Sequence, residues 1–235
     1  METDLKKLQD TLQYHFHDMH LLGCALTHSS YANEHPEREP EHNERLEFLG
    51  DAVLELASSD YIYRHYPDMP EGRMTKLRAS LVCESSLAES ARAISLQSHL
   101  HLGHGEERTG GRNRDSVISD AMEALIGAVY LDGGFEAARK IVETFVLYDL
   151  ENRRLFYDSK TVLQEILQRD HSVETIRYEL TGEEGPAHAK TFHVQVKAGD
   201  EVLGSGEGAT KKAAQQQAAY KAIKKLESTR NGSCI

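Results

Sequence analysis

Apolar residues recur at intervals of three and four through most of the first 150 positions, in LKKLQDTLQY, LEFLGDAVLELASSDYIYRHY, RMTKLRASLVCESSLAESARAI and SVISDAMEALIGAVYLDGGFEAARKIVETFVLYDL. That spacing lines helix faces, so this stretch is predicted as nearly all α-helix. The runs stop where backbone chemistry stops them: 33–42 is rich in Pro and Glu, 66–72 holds two prolines, and 102–114 holds four glycines. Beyond residue 158 the period changes. Ser159 to Gln168 reads as a helix, whereas Ile176, Tyr178 and Leu180, and then Phe192, Val194 and Val196, alternate as strands do. A third short strand over 202–207 runs through Gly208-Ala209-Thr210-Lys211-Lys212 into an Ala-rich helix ending near Leu226. The expected fold class is therefore multi-domain: an all-α domain over 1–150, a linker over 151–158, a small α+β domain of order α-β-β-β-α over 159–227, and a flexible tail over 228–235.

The predicted helices carry acids where a buried helix should be apolar. Glu47 and Asp51 are four apart and share a face, and Glu44 extends it by a turn, while Leu46, Phe48, Leu49, Val53, Leu54 and Leu56 interleave with them. Asp120 and Glu123, three apart, repeat the design among Ile118, Met122, Leu125, Ile126 and Val129. A solvated charged face is the ordinary reading of such pairs, but these segments leave little polar face to solvate. Two carboxylates about 4 Å apart repel by roughly 4 kcal/mol at an effective dielectric near 20, so a cation must offset them. A hard divalent ion suits this need, since one or two carboxylates leave coordination positions free for water and phosphate. Four carboxylates around one or two Mg2+ would serve phosphodiester hydrolysis.

Charge changes the picture only when it is divided. The 235 residues carry a formal charge of −11, which argues against a polyanionic partner. Residues 1–150 hold 26 acidic and 14 basic side chains, whereas 160–225 hold 9 acidic and 10 basic, so the excess belongs to the first segment. Binding of nucleic acid then falls to local basic clusters. Cys24, Cys83 and Cys234 have no metal-ligand spacing and cannot all pair, which favours a reducing compartment over a disulfide framework. No stretch approaches the roughly 20 apolar residues of a membrane span, and the N-terminus lacks the apolar core of a signal peptide, so the expectation is a soluble, cytoplasmic protein with no membrane partner. The GHGEERTGG stretch lacks the third glycine and preceding strand of a dinucleotide loop, and no small-molecule cofactor is expected. Of 13 histidines, those at 15, 17, 20, 99, 101 and 104 cluster, yet none falls in an HExxH-like ligand pattern.

HNERLEFLGDAVL resembles the signature of the ribonuclease III endonuclease domain, and SDAMEALIGAVYLDGG resembles that domain's second acidic motif. PEGRMTKLRASLV and LGHGEERTGGRNRDS fit the same pattern in the family's order, and the resemblance extends over roughly 5–226. The flanking pairs Ile118-Ser119 and Ala121-Met122 depart from the usual residues, but no acid is lost. The resemblance implies Glu47, Asp51, Asp120 and Glu123 as metal ligands for Mg2+, with Mn2+ as the alternative ion. It implies Glu44 and Glu71 as further acids of the catalytic site that position the scissile region, and cleavage of double-stranded RNA to 5′-phosphate and 3′-hydroxyl ends. It also implies processing of structured precursors such as ribosomal RNA. Two-strand cleavage needs two acid clusters, which the resemblance supplies through a homodimer; Phe48, between the ligands Glu47 and Asp51, would plug a pocket on the partner.

KTVLQEILQ, the loop GPAHAK and GEGATKKAAQQQAAYKAIKKL resemble a double-stranded RNA-binding domain. A helix opening with Thr210-Lys211-Lys212 collects free N–H groups, the positive dipole end and two ammonium groups. The resemblance puts Lys190, Lys211 and Lys212 on phosphates and Thr161, Gln164, Glu165, Pro186 and His188 in minor grooves, the accessible side of A-form RNA. The rival reading is a catalytically silent double-stranded RNA-binding or ribosome-associated dimerisation protein; loss of any of the four acids would favour it, and all four are present.

Overall fold

In the computed structural model, residues 2–38, 41–148, 150–169, 176–186 and 190–231 are described. The chain divides into two units, residues 1–149 and 150–235. In the first, α1 (Glu2–Leu12), α2 (Met19–Ala25), α3 (Ser29–Glu34), α5 (Glu71–Leu81), α6 (Glu84–Ala93) and α7 (His104–Arg108) accompany two long helices, α4 (Glu44–His65) and α8 (Asp115–Ile141). The long pair pack on one another. Leu46, Val53, Leu54 and Ala57 of α4, and Ile118, Ala121, Met122, Leu125 and Ile126 of α8, are buried, which accounts for the predicted periodicity of both segments.

Glycine sets how closely the two helices approach. A Cβ on Gly50 would collide with the Glu123 carbonyl, and one on Gly127 with the Leu46 carbonyl. Backbone therefore touches backbone at this crossing. Within α8 the helix is interrupted at Gly134, whose φ of +79° is a left-handed conformation open to glycine. Just before it, Asp132 ties the helix to the α1–α2 connection: its carboxylate accepts from Tyr14 Oη (2.6 Å), the His17 amide (3.0 Å) and the Asp18 amide (2.8 Å), and lies 3.1 Å from His17 Nδ1. Burial alone would raise Asp132, but these hydrogen bonds outweigh it and hold the carboxyl at about 2.

The glycine-rich segment 102–114 is predicted as a break, yet it contains α7 and a short 3-10 turn, Gly111–Asn113. Arginines fasten it: Arg112 donates to Glu107 (2.6 Å) and to the Gln97 carbonyl (2.7 Å), and Arg114 to Glu106 (2.7 Å).

In the second unit, α9 (Leu150–Arg169) and α10 (Lys211–Asn231) accompany an antiparallel sheet of order β1 (Ile176–Glu184), β2 (Thr191–Ala198) and β3 (Glu201–Gly208). Leu163, Leu167, Val194, Val196, Leu203, Ala214, Ala218, Ala222 and Ile223 form its core. Small residues bring sheet and helix together, since a Cβ on Gly204 or Gly206 would run into the α10 backbone at Ala218. The segment 151–158, expected as a linker, forms the opening turns of α9; Leu155 packs against the core, and the Phe156 ring meets Tyr220 edge-on at 5.7 Å. The predicted alternation holds in the pairing of Tyr178 with Val196 and Leu180 with Val194, but Leu180 is exposed; a register shift follows it, between Leu180 and Gly182. The expected tail from 228 is helical as far as Asn231; 232–235 lie outside the described residues. Among the described residues, no helix is long and apolar enough to cross a membrane. Cys24 is buried and Cys83 half-buried, its Sγ 3.3 Å from Ser86 Oγ, and Cys234 lies outside the described residues.

Candidate active site

The acids of α4 are placed by the way that helix starts. Asn43, buried, donates its amide to the Thr27 carbonyl (2.9 Å) and accepts from the Glu47 amide (2.8 Å). Glu44 and Glu47 thus fall in the first turn, where the helix dipole favours negative charge. Asp120 and Glu123 come from the facing side of α8, brought near by the Gly50 and Gly127 crossing. Glu47, Asp120 and Glu123 each present a carboxylate oxygen within 4.8 Å of the other two.

Three of the four expected ligands thus form one cluster. Asp51, one turn further along α4, is exposed at its rim, yet its charge acts on both Glu47 and Glu123. Glu44 is exposed, with Oε2 3.8 Å from His42 Nδ1, and its charge bears on Glu47. Glu71, at the start of α5, accepts the Thr75 hydroxyl (2.8 Å) and lines a separate concavity with Leu56, Tyr63, Met74 and Arg78. Phe48 is 83 % exposed.

The electrostatics of the cluster are those of uncompensated negative charge. Burial, then Asp51, Asp120 and Glu47, push Glu123 up to about 8. Burial and the charges of Asp120, Glu44 and Asp51 raise Glu47. Burial also raises Asp120, against a lowering contact from the Ser119 hydroxyl at 3.5 Å. A divalent cation would relieve all three, and an oxygen-only donor set suits a hard ion such as Mg2+ or Mn2+. Two neighbours escape sequence reasoning: Glu84 at the start of α6 raises Asp120, and His28, which caps α3 by accepting the Ser30 amide, lowers it. Neither belongs to a spacing pattern with Asp120, so only tertiary folding reveals them.

In the second unit, Thr161, Gln164 and Glu165 are exposed on α9, opposite the buried Leu163 and Leu167. Pro186, Lys190, Lys211 and Lys212 are exposed as well, and His188 lies outside the described residues. Thr210 Oγ1 accepts the Ala213 amide (3.1 Å) at the start of α10. Lys190 Nζ donates to Glu183 Oε2 (2.9 Å), Lys211 Nζ lies 3.4 Å from Glu183 Oε1, and Lys211 also stands 5.6 Å from the Phe192 ring centroid.

Residues 18–150 match the Ribonuclease-III-like family model, and residues 159–226 match the double-stranded RNA binding motif. The chain is 48 % identical over 223 residues to Ribonuclease 3 of Listeria innocua, covering 94 % of this chain and 97 % of that protein. It is 50 % identical over 225 residues to Ribonuclease 3 of Caldanaerobacter subterraneus subsp. tengcongensis, covering 94 % and 98 %. Among solved structures, the nuclease domain of ribonuclease III from Campylobacter jejuni, described for flexibility in a region involved in its dimer formation, matches at 41 % identity. Its TM-score is 0.57, over 61 % of this chain and 96 % of that one. With the acid cluster of its helical unit and the three-stranded unit that follows, the chain belongs to the ribonuclease III family and is an endoribonuclease carrying a double-stranded RNA-binding domain.

Proposed function

We propose that this endoribonuclease cleaves double-stranded RNA with Mg2+, or Mn2+ in its place, held by Glu47, Asp120 and Glu123 with Asp51 at the rim, and that it processes structured precursors such as ribosomal RNA in the cytoplasm. The observation that carries this is the approach of the three carboxylates to within 4.8 Å. When bound, the ion supplies an activated water at neutral pH and charge neutralisation at the scissile phosphate. The residues do the rest. Glu47, Asp120 and Glu123 would hold the ion, and Glu123, pushed up to about 8 by burial and the neighbouring acids, would serve as a ligand in its ionised form. Asp51 and Glu44 flank the cluster and orient what approaches it. Thr161, Gln164, Glu165, Pro186 and His188 contact the minor groove, and Lys190, Lys211 and Lys212 the phosphates.

Cleavage of both strands follows from a two-fold homodimer built on α4. That helix exposes Phe48, Leu56 (57 %) and Tyr63 (73 %), an apolar stripe on the side away from its buried residues. A concavity of about 370 Å3 opens on the same stripe at Leu56 and Tyr63, about 12 Å or more along α4 from Phe48. Antiparallel pairing of α4 with its copy would seat Phe48 of each protomer in the concavity of the other. The partner subunit's Glu71 would then stand beside the acids that flank Phe48, which is how Glu71 joins a cluster from which its own fold separates it.

The test is incubation of end-labelled duplex RNA with and without Mg2+ or Mn2+, followed by mapping of the ends. Metal-dependent cuts on both strands leaving 5′-phosphate and 3′-hydroxyl are expected. Metal-independent cleavage, or 2′,3′-cyclic ends, would refute the scheme, since both belong to attack by the 2′-hydroxyl.

A further inference from the structure

Glu183 stands inside the proposed phosphate-binding surface with the wrong sign of charge. Each of its carboxylate oxygens takes one lysine: Lys190, which precedes β2, at 2.9 Å, and Lys211, which opens α10, at 3.4 Å. Glu183 is paired across the sheet with Phe192, over whose ring Lys211 lies, so all four side chains belong to one face. Hydrogen bonding from Lys190 and then the proximity of Lys211 hold the Glu183 carboxyl below its ordinary range, so it stays ionised. Two parallel anionic oxygens between two ammonium groups reproduce what a phosphate offers with its non-bridging oxygens. The neighbouring Glu184 points to the other face, where its Oε2 is 3.7 Å from His193 Nε2.

We infer that Glu183 is an internal stand-in for an RNA phosphate, holding Lys190 and Lys211 in place in the free protein and competing with RNA for them. This rests on the reading of the two lysines as phosphate contacts. RNA must displace the carboxylate or share its lysines, and its residual negative charge opposes the incoming phosphate. Glu183 therefore sets the affinity below what the lysines alone would give, and so lets a duplex be released. It also lowers the binding of polyanions that offer charge but no A-form groove.

The experiment is a titration of labelled duplex RNA with the full chain by fluorescence anisotropy at several salt concentrations, without divalent ions so that no cleavage occurs. Glu183→Gln keeps the shape and removes the charge. It should tighten binding about 3- to 10-fold at low salt and steepen the dependence on salt by about one counterion. Glu184→Gln removes the same formal charge one residue away and should have a clearly smaller effect; circular dichroism checks that each variant is folded. Unchanged or weaker binding by Glu183→Gln, or an equal gain from Glu184→Gln, overturns the inference while leaving the lysines as contacts. A Lys190→Ala/Lys211→Ala variant that binds duplex RNA as the parent does would instead overturn the phosphate-contact reading itself, and the role of Glu183 with it.

Discussion

Replacing Glu123 with Gln separates what the acid cluster costs the fold from what it gives the reaction. The folded protein holds Glu123 near 8 against an ordinary value of 4.5, so between these pH values the folded state carries a proton that the unfolded state has lost. Stability contributed by that proton is full below 4.5 and declines as pH rises towards 8. At about 1.4 kcal/mol per pH unit the full span would reach about 5 kcal/mol, and partial solvent screening reduces this to about 1–2 kcal/mol. Gln is neutral throughout and has no such slope. Without divalent ions, the Glu123→Gln protein is therefore expected to match the parent near pH 5 and to exceed it near pH 8, by about 2 to 8 °C in thermal midpoint. Adding Mg2+ should stabilise the parent at pH 8 far more than the variant, with release of about one proton on binding. Duplex cleavage should fall to near background while duplex binding, proposed to draw on α9 and α10, persists. Calorimetry across pH, with and without Mg2+, and a cleavage assay read these outcomes. A variant with the parental pH profile, or one that still cleaves near the parental rate, would refute the reasoning.

Phe48→Ala should move the protein towards monomer, because a central aromatic anchor contributes about 2 kcal/mol or more to an interface; sedimentation velocity showing an unaltered dimer would return Phe48 to an isolated surface residue. Replacing Lys211 and Lys212 with Ala should weaken duplex binding and flatten its salt dependence by about one counterion for each phosphate no longer neutralised, and an unchanged slope removes them as phosphate-binding residues. Asp132→Asn leaves a half-matched acceptor among three donors in a side chain only 2 % exposed, and is expected to cost about 1–3 kcal/mol of stability in denaturant unfolding. Because Asp132 is held near 2 against an ordinary 3.8, its contribution is complete above that ordinary value and disappears as pH falls towards 2; the Asn variant should lack this acid limb.

The helical unit is legible in the sequence because its long segments keep a helical period, and the acids because spacings of three and four place them on shared faces. That the two acid pairs form one set is carried by the family resemblance and not by the spacing, and how closely each acid approaches is not legible. That depends on the angle and depth at which α4 crosses α8, and these follow from backbone contact at Gly50 and Gly127. Glycine inside an apolar helical run is itself a signal of close approach, since it otherwise costs about 1 kcal/mol relative to Ala. His28 and Glu84 reach Asp120 from distant parts of the chain and carry no local sign of it. The early start of α9 was hidden by the charges of ENRRLFYD, whose Leu155 and Phe156 find apolar partners only in the folded unit. Alternation identifies the strand but not the register shift between Leu180 and Gly182, which turns on the pairing of the far end of β1 with β2.

Because Gly50 and Gly127 set α4 against α8 through main-chain atoms, the spacing of the acids is fixed at its near end by two positions that admit no side chain. Any side chain larger than hydrogen at either position would push the helices, and the acids they carry, apart. The proposed metal site is thus tied to two glycines as closely as to its own acids, and a change at Gly50 or Gly127 would disturb it while leaving every carboxylate in the sequence.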